Sequence, residues 1–394
     1  MPILFWILTF GLVFFLFHTW INLLVFPRIR LKKKSGPDTP RISVLIPARN
    51  EASRIGSCLR SLLAQNYDNF EILVLDDNSE DNTSAVVQEF GFSDEPGHRL
   101  RLLRGQALPP AWSGKAWACH QLFLEAQGEY LLFTDADTLH SPSALQACLQ
   151  RAQSQRIGLL SLWPKQTTCT WSEVLVVPLM HMLILTFLPQ WLVRCLAANP
   201  GLASRLSPEQ LGSLGSANGQ FMFFHRPTYE AIGGHQTVKS HMVEDIALGR
   251  LVASRMGEGH RLLNADGTAL VACRMYENWG QVWEGFSKNL RPAFDRKLGV
   301  FLGFGVLQFI FFVLPFLLLP WAFFNSVLWL IPALLVWLLR ASLALRFGTP
   351  WLSVLGHCLG HLLALMIALN SWRLTASGKL RWKDRVYNSD TGDP

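Results

Sequence analysis

The chain has 394 residues, enough for one large domain or two ordinary ones. Half of them are hydrophobic and only 16% are charged, against about 25% charged in a typical soluble domain, which excludes a simple soluble globule. The net charge of +7 does not indicate nucleic acid, because the basic residues concentrate beside apolar segments. Seven scattered cysteines with no CxxC pair exclude a disulfide framework or a cysteine-rich metal site.

Residues 2–26 carry no formal charge, with His18 and Asn22 as the strongly polar exceptions, and they exceed the ~20 residues needed to cross a bilayer. A cleaved signal peptide would want a basic start and a small-residue cleavage site, so a retained transmembrane anchor is expected over 1–27. A basic linker follows at 28–40. Its "RIRLKKK" (28–34) has five basic residues in seven, which by the positive-inside rule puts the next domain on the cytoplasmic side and suits anionic headgroups.

From residue 41 the pattern becomes globular. Ile42 to Ile46 reads as a buried strand, followed by a loop and an amphipathic helix with Ile55, Leu59, Leu62 and Leu63 at helical spacing. "FEILVLDDNSEDNTSAVVQEF" repeats strand, acidic loop and helix; "LRLLRG" is a third strand; "KAWACHQLFLEAQG" is a helix ended by Gly128. The strand 130–134 runs straight into Asp135 and Asp137. Strands this continuously apolar, alternating with helices, predict a parallel α/β sheet covered on both faces. Ligands of such sheets bind beyond the carboxyl ends of the strands, where three loops fall: Pro47 to Glu51, Asp76 to Ser79 and Asp135 to Asp137.

Residues 157–163 predict a further strand. The hydrophobic segment 171–197, broken by Pro178 and Pro189, reads as short helices in the membrane interface, with a buried core pair as the alternative. Strands at 220–224 and 269–273 flank a helix starting at or near Glu244. Residues 299–372 hold two or three membrane segments, at roughly 300–319, 321–339 and 351–370, ahead of a basic cytosolic tail at 373–394. Three full spans would put that tail outside, so one segment is expected to be re-entrant or interfacial, and 351–370 fits best. His357 and His361 lie four apart there without the glutamate of HExxH, which favours polar packing or headgroup contact over metal.

"VLIPARNEA", "VLDDNSEDNT", "FTDADT" and "VEDIALGR", in this order over about residues 41–290, resemble the family 2 glycosyltransferases of GT-A fold. "WSGKAWACHQ", "ANGQFMFFHRPTYEAIGGH" and "RMYENWGQVWEGFSKNL" resemble the membrane-bound, non-processive branch that glycosylates lipids and carotenoids. The resemblance implies an α/β Rossmann-like, mostly parallel sheet in a cytosolic domain at 41–298. It implies that Pro47, Ala48, Arg49, Asn50 and Glu51 hold the base and ribose of a UDP- or GDP-sugar, with Asp77 on the uracil or ribose side. Lys115 would lie near the nucleotide or its diphosphate. Asp137 would ligate Mg²⁺ or Mn²⁺, Asp135 would contact the ribose or a metal-bound water, and Asp245 would be the base of an inverting transfer, with Glu244 beside it.

Elementary chemistry supports these roles. A nucleoside diphosphate leaves readily only when its developing charge is neutralised, and Mg²⁺ typically uses one or two carboxylates with phosphates completing the shell. A separate carboxylate must take the acceptor's proton. Each motif alone has a plainer explanation: a DxD as a surface turn, "ED" as a helix N-terminus, "DDNS" as a cap. Their joint occurrence at predicted sheet ends favours the site. The QxxRW motif of processive members is missing. Trp279, Trp283 and Phe286 form an aromatic face that fits either an acceptor groove or simple packing.

The sequence therefore predicts a multi-pass membrane enzyme moving one sugar to a membrane-embedded acceptor, a carotenoid or other isoprenoid hydroxyl or carboxyl. Alternatives are diacylglycerol or a polyprenyl phosphate, for which Arg274, Lys288 and Arg291 would serve the phosphate, and an inactive nucleotide-binding scaffold.

Overall fold

The computed structural model describes residues 3–31, 39–92, 98–294, 297–377, 380–382 and 385–387. Part of the basic linker, including Lys32 to Lys34, and much of the basic tail fall outside the described residues. The chain divides into two compact units. One comprises residues 26–165 and 192–274; the other comprises 1–25, 166–191 and 275–390.

The first unit is built on a seven-stranded sheet in the order Leu100–Arg104, Phe70–Asp76, Ile42–Ala48, Tyr130–Thr134, Phe221–His225, Leu159–Trp163, Leu262–Asp266. Side chains alternate across a strand, and both faces are covered: Val44, Ile46, Ile72 and Leu132 pack into one core, Leu45, Leu73, Leu131 and Phe133 into the other. This double burial is why the strands read as unbroken apolar runs. The central register pairs Ile42 with Phe70 on one side and with Tyr130 on the other, both parallel. The chain order thus reverses at Ile42–Ala48, so a crevice opens between the carboxyl ends of Ile42–Ala48 and Tyr130–Thr134.

The sheet departs from an all-parallel expectation at Phe221–His225, which runs antiparallel to both neighbours, with Thr134 opposite Phe221 and Ser161 opposite Met222. Its first residues therefore arrive at the crevice end. The strand expected at 269–273 is shorter, Val271–Cys273, and pairs antiparallel with Thr138–His140 outside the main sheet. Arg28 of the basic run donates to Asp266, 3.1 Å away and buried.

The second unit is helical. Among the described residues three helices are long and apolar enough to cross a membrane: Ile3–Val25, Leu298–Leu317 and Val327–Phe347. A bent pair, Trp171–Phe187 with Gln190–Ala198, also passes by length and composition. The span expected at 321–339 lies further along, because Asn325 and Ser326 interrupt the chain and Ser326 caps the next turn. Residues 351–370 fold as Leu352–Leu355 and His357–Ala376, outside those three. The two strongly polar side chains of the first helix, His18 and Asn22, are paired inside this unit. Asn22 donates to the carbonyls of Leu185 and Leu188 and accepts from the Trp191 N–H, while His18 meets the Thr186 carbonyl at 3.1 Å. Leu179–Phe187 buries Leu179, Met182, Ile184 and Leu185; Trp171 remains half-exposed.

Candidate active site

The crevice brings together residues from four parts of the sequence. The first two loops knit to each other. Asn50 adopts φ 52° and Asn78 φ 56°, left-handed conformations that asparagine tolerates better than most residues. The Asn50 N–H donates to Ser79 Oγ, and Asn50 Oδ1 accepts from the Glu80 N–H at 2.8 Å. Arg49 donates to the carbonyls of Asp77 and Asn78 at 2.9 and 3.1 Å, and the Glu51 N–H donates to Thr83 Oγ1. Arg49 thus staples the loops, while Asp77 is buried, its N–H bonded to the Ala48 carbonyl at 2.8 Å. Asp76 is occupied in its own turn by the Ser79 N–H and the Ser84 hydroxyl.

Asp135 and Asp137 sit on the turn that follows the strand end at Thr134, rather than on the strand itself. Lys115, in the first turn of the helix Gly114–Glu125, donates to Asp135 Oδ1 at 2.7 Å and to Glu244 Oε1 at 3.1 Å. Burial alone would lower the Lys115 pKa, but the Asp135 and Glu244 carboxylates outweigh it and hold the pKa well above the ordinary lysine range. One ammonium therefore joins the DxD to the "VED" acids, which lie more than a hundred residues further along the chain.

Asp245 stands beside Glu244 at the start of the helix Glu244–Ser254. Its Oδ2 accepts from the Gly219 N–H at 2.7 Å and its Oδ1 from the Ile246 N–H at 2.8 Å. Burial, and then Glu244, push its pKa up to about 6. The helix can approach so closely because Gly249 lacks a side chain; a Cβ there would lie 2.5 Å from the Ser216 carbonyl carbon and 2.6 Å from the Ala217 nitrogen. At Gly219 a Cβ would come within 3.0 Å of Asp245 Oδ2 and 3.2 Å of Lys115 Nζ.

Asp137 is the chemically exposed member of the set. Its Oδ2 reaches Arg54 only at 3.9 Å, and its Oδ1 is buried without a hydrogen-bond partner among the described residues. Burial, followed by repulsion from Asp135 and Glu51, raises its pKa to about 7. A carboxylate of this kind, with unshared oxygen lone pairs and acids around it, fits a hard divalent cation. Two buried thiols that sequence reasoning did not associate with the site lie under the turn. Cys273 hydrogen-bonds Asp137 and accepts from Gln220, and Cys58 contacts the Asp135 carbonyl. Because Phe221–His225 runs antiparallel, its opening run "GSANGQ" falls at this sheet end, which brings Gly219 and Gln220 into the site.

Residues 43–177 match the family model described as glycosyl transferase family 2. That range contains the motifs "VLIPARNEA", "VLDDNSEDNT" and "FTDADT". The chain is 28% identical over 274 residues to 4,4'-diaponeurosporenoate glycosyltransferase of Staphylococcus haemolyticus (strain JCSC1435), covering 66% of this chain and 63% of that protein. It is 28% identical over 258 residues to the enzyme of the same name from Staphylococcus aureus (strain MRSA252), covering 63% and 60%. The chain thus spans about three fifths of the length of the curated relatives it matches. The mannosyltransferase PcManGT from Pyrobaculum calidifontis, solved with GDP-Man and Mn²⁺, superposes with a TM-score of 0.51 at 18% identity, covering 93% of this chain and 98% of that one. The central sheet is accordingly the parallel-dominated sheet of a GT-A fold.

Trp279, Trp283 and Phe286 lie in the helical unit on Trp279–Asn289. Trp279 stacks on Trp171 at 5.5 Å and meets Trp283 at 5.4 Å, while Phe286 packs edge-on against Tyr276.

Proposed function

We propose that this protein is an inverting, membrane-anchored glycosyltransferase. It moves one sugar from a UDP- or GDP-sugar to a lipid-soluble acceptor, most simply a carotenoid or other isoprenoid with a terminal hydroxyl or carboxyl. The observation that carries this reading is the double bridge from Lys115 to Asp135 and Glu244, which assembles a diphosphate-side acid pair and a base-side acid pair around one crevice. The names of the curated relatives support the acceptor class, and the three long apolar helices support the membrane setting.

In this reading Asp137 holds the Mg²⁺ or Mn²⁺ ion, with Asp135 fixed beside it by Lys115. Bound there, the cation would neutralise charge developing on the leaving diphosphate. The loops Pro47–Glu51 and Asp76–Ser79 hold the nucleoside between their cross-tied backbones. Asp245, fixed by two backbone N–H groups, accepts the proton of the acceptor hydroxyl as its oxygen bonds the anomeric carbon. The bond from that carbon to the diphosphate breaks, and the nucleoside diphosphate departs. A pKa of about 6 suits a base working near neutrality. Glu244, paired with Lys115, positions rather than abstracts. Trp171, Trp279 and Trp283 form an aromatic face suited to an apolar acceptor.

The test is glycosyl transfer by the purified full chain with Mn²⁺, a panel of UDP- and GDP-sugars, and hydroxylated and carboxylated polyenes. Transfer by wild type that Asp137→Asn removes supports the reading. No donor turnover with any pair, from protein that binds the nucleotide, would overturn it in favour of a scaffold.

A further inference from the structure

Within the helical unit, His357 and His361 belong to a larger buried group of polar side chains. Arg340, on Leu330–Phe347, is 2% exposed. Its guanidinium donates to the Pro178 carbonyl at 3.4 Å and to the Ser353 carbonyl at 3.2 Å, both long bonds. Pro178 sits at the break between Trp171–Val176 and Leu179–Phe187, and Ser353 lies in the short helix Leu352–Leu355. His357 follows, its Nε2 at 3.1 Å from the Phe312 carbonyl, inside the π-helical turn Phe309–Val313. His361 meets Gln308 Oε1 at 2.8 Å. The two imidazoles pack at 4.6 Å and both lie close enough to feel the charge of Arg340.

The group is incompletely satisfied. Arg340 Nε and Ser353 Oγ are buried donors without an acceptor, and Nδ1 of both histidines lacks a partner among the described residues. Among the described residues, the guanidinium of Arg340 meets two backbone carbonyls and no carboxylate. Buried charges are normally paired, and ionisable groups among apolar spans mark binding sites more often than packing. π-turns and broken helices recur at such sites. What the donors lack is an acceptor carrying negative charge. The surrounding surface is oily: Leu345, Leu352, Leu355 and Leu359 are all exposed, so the anion should arrive with an apolar tail.

We propose that Arg340, Ser353, His357 and His361 form a binding site for the oxyanion head, phosphate or carboxylate, of a membrane-soluble amphiphile. It rests on reading the apolar helices as membrane-embedded, and not on glycosyl transfer. Basic sites between spans that grip lipid headgroups are physically well founded, and guanidinium is the side chain best matched to them.

Native mass spectrometry of the purified full chain tests this, with phosphatidylglycerol, retinoate and phosphatidylcholine as probes. One equivalent of phosphatidylglycerol or of retinoate should stay bound at least tenfold better than phosphatidylcholine, and which of the two does so identifies the source of the oxyanion. Arg340→Met should abolish that preference, while Arg373→Met, at an exposed position, should keep it. If Arg340→Met does not fold, His361→Leu and the probe-dependent thermal midpoint of wild type carry the comparison. Equal retention of all three probes, as expected of a group filled by water only, would overturn the proposal. So would a preference that survives Arg340→Met or that Arg373→Met also removes. Carbonate extraction of the chain from membranes would instead point to failure of the membrane reading.

Discussion

The backbone N–H of Gly219 donates to Asp245 Oδ2 at 2.7 Å, so the carboxylate assigned as base is aimed by the first residues of an antiparallel strand. The bond favours the ionised form, yet burial and the neighbouring Glu244 win, and the pKa stands at about 6. A base must be ionised to act. For a hydroxyl acceptor kcat/KM should therefore fall about tenfold per pH unit below about 6 and level off above it. Because the folded-state pKa is raised, stability falls as pH rises from the ordinary carboxylate range towards 6. Asp245→Asn should accordingly be no less stable than wild type at pH 7. A thermal midpoint beside a pH–rate profile separates lost chemistry from lost fold.

Gly249 explains how Asp245 reaches Gly219 at all. Its absent side chain lets the helix Glu244–Ser254 lie against Ser216 and Ala217, where a Cβ would meet backbone atoms at 2.5 and 2.6 Å. Backbone yields little, and overpacking of this kind costs about 1–3 kcal/mol. Gly249→Ala should lose that much stability in urea titration. It should also lower kcat more than its stability loss explains, because the base is displaced from its donor.

Lys115 carries the electrostatic bond between the two acid pairs. Glu244 is buried while Lys115 is about a third exposed, so Lys115→Met strands a charge that water can partly reach and should cost less than the ~3–5 kcal/mol of a fully buried pair. Lys115→Met with Glu244→Gln should cost clearly less than the sum of the single changes, since the second removes the charge that the first strands. Additive losses in a double-mutant cycle would count against the bridge.

These relationships divide into what one sequence can and cannot carry. The strands around Val44, Val74 and Leu132 were legible because both faces are buried, which leaves continuous apolar runs. Asp135, Asp137 and Asp245 were legible because acids at strand ends and helix starts are chemically conspicuous. The antiparallel course of Phe221–His225 was not, since an apolar strand carries no mark of its direction. The strand Leu262–Asp266 escaped for want of a strong pattern. Cys58 and Cys273 could not be tied to the DxD turn by spacing, because they reach it from opposite ends of the domain. The long apolar helices were legible from composition, but their limits moved where Asn325 and Ser326 break the helix.

Asp137 provides the sharpest test of the metal. Its buried Oδ1 has no hydrogen-bond partner among the described residues, and Asp137→Asn removes charge without volume. Donor turnover should fall by about 100-fold or more, the scale of a lost Lewis-acid contact worth several kcal/mol. Chelation of wild type should produce the same loss, and Mn²⁺ should rescue wild type but not the variant. Turnover indifferent to both chelation and Asp137→Asn would remove the metal from the scheme.

The acceptor's chemistry should be readable through Asp245. A hydroxyl brings a proton that must go somewhere as its oxygen attacks, so removing the base should cost the 10²–10⁴-fold typical of general-base catalysis. A carboxyl acceptor is already ionised at pH 7 and brings no proton. For it Asp245 is a nearby like charge, and Asp245→Asn should lower KM and leave kcat nearly unchanged. Assaying wild type and Asp245→Asn side by side on a polyene alcohol and the matching polyene acid, at pH 7 with Mn²⁺, distinguishes the two. A large kcat loss on the alcohol with little on the acid would identify the protein as built to tolerate both and its base as needed for one. Equal losses on both would mean that Asp245 acts by holding Gly219 and the crevice wall rather than by taking a proton.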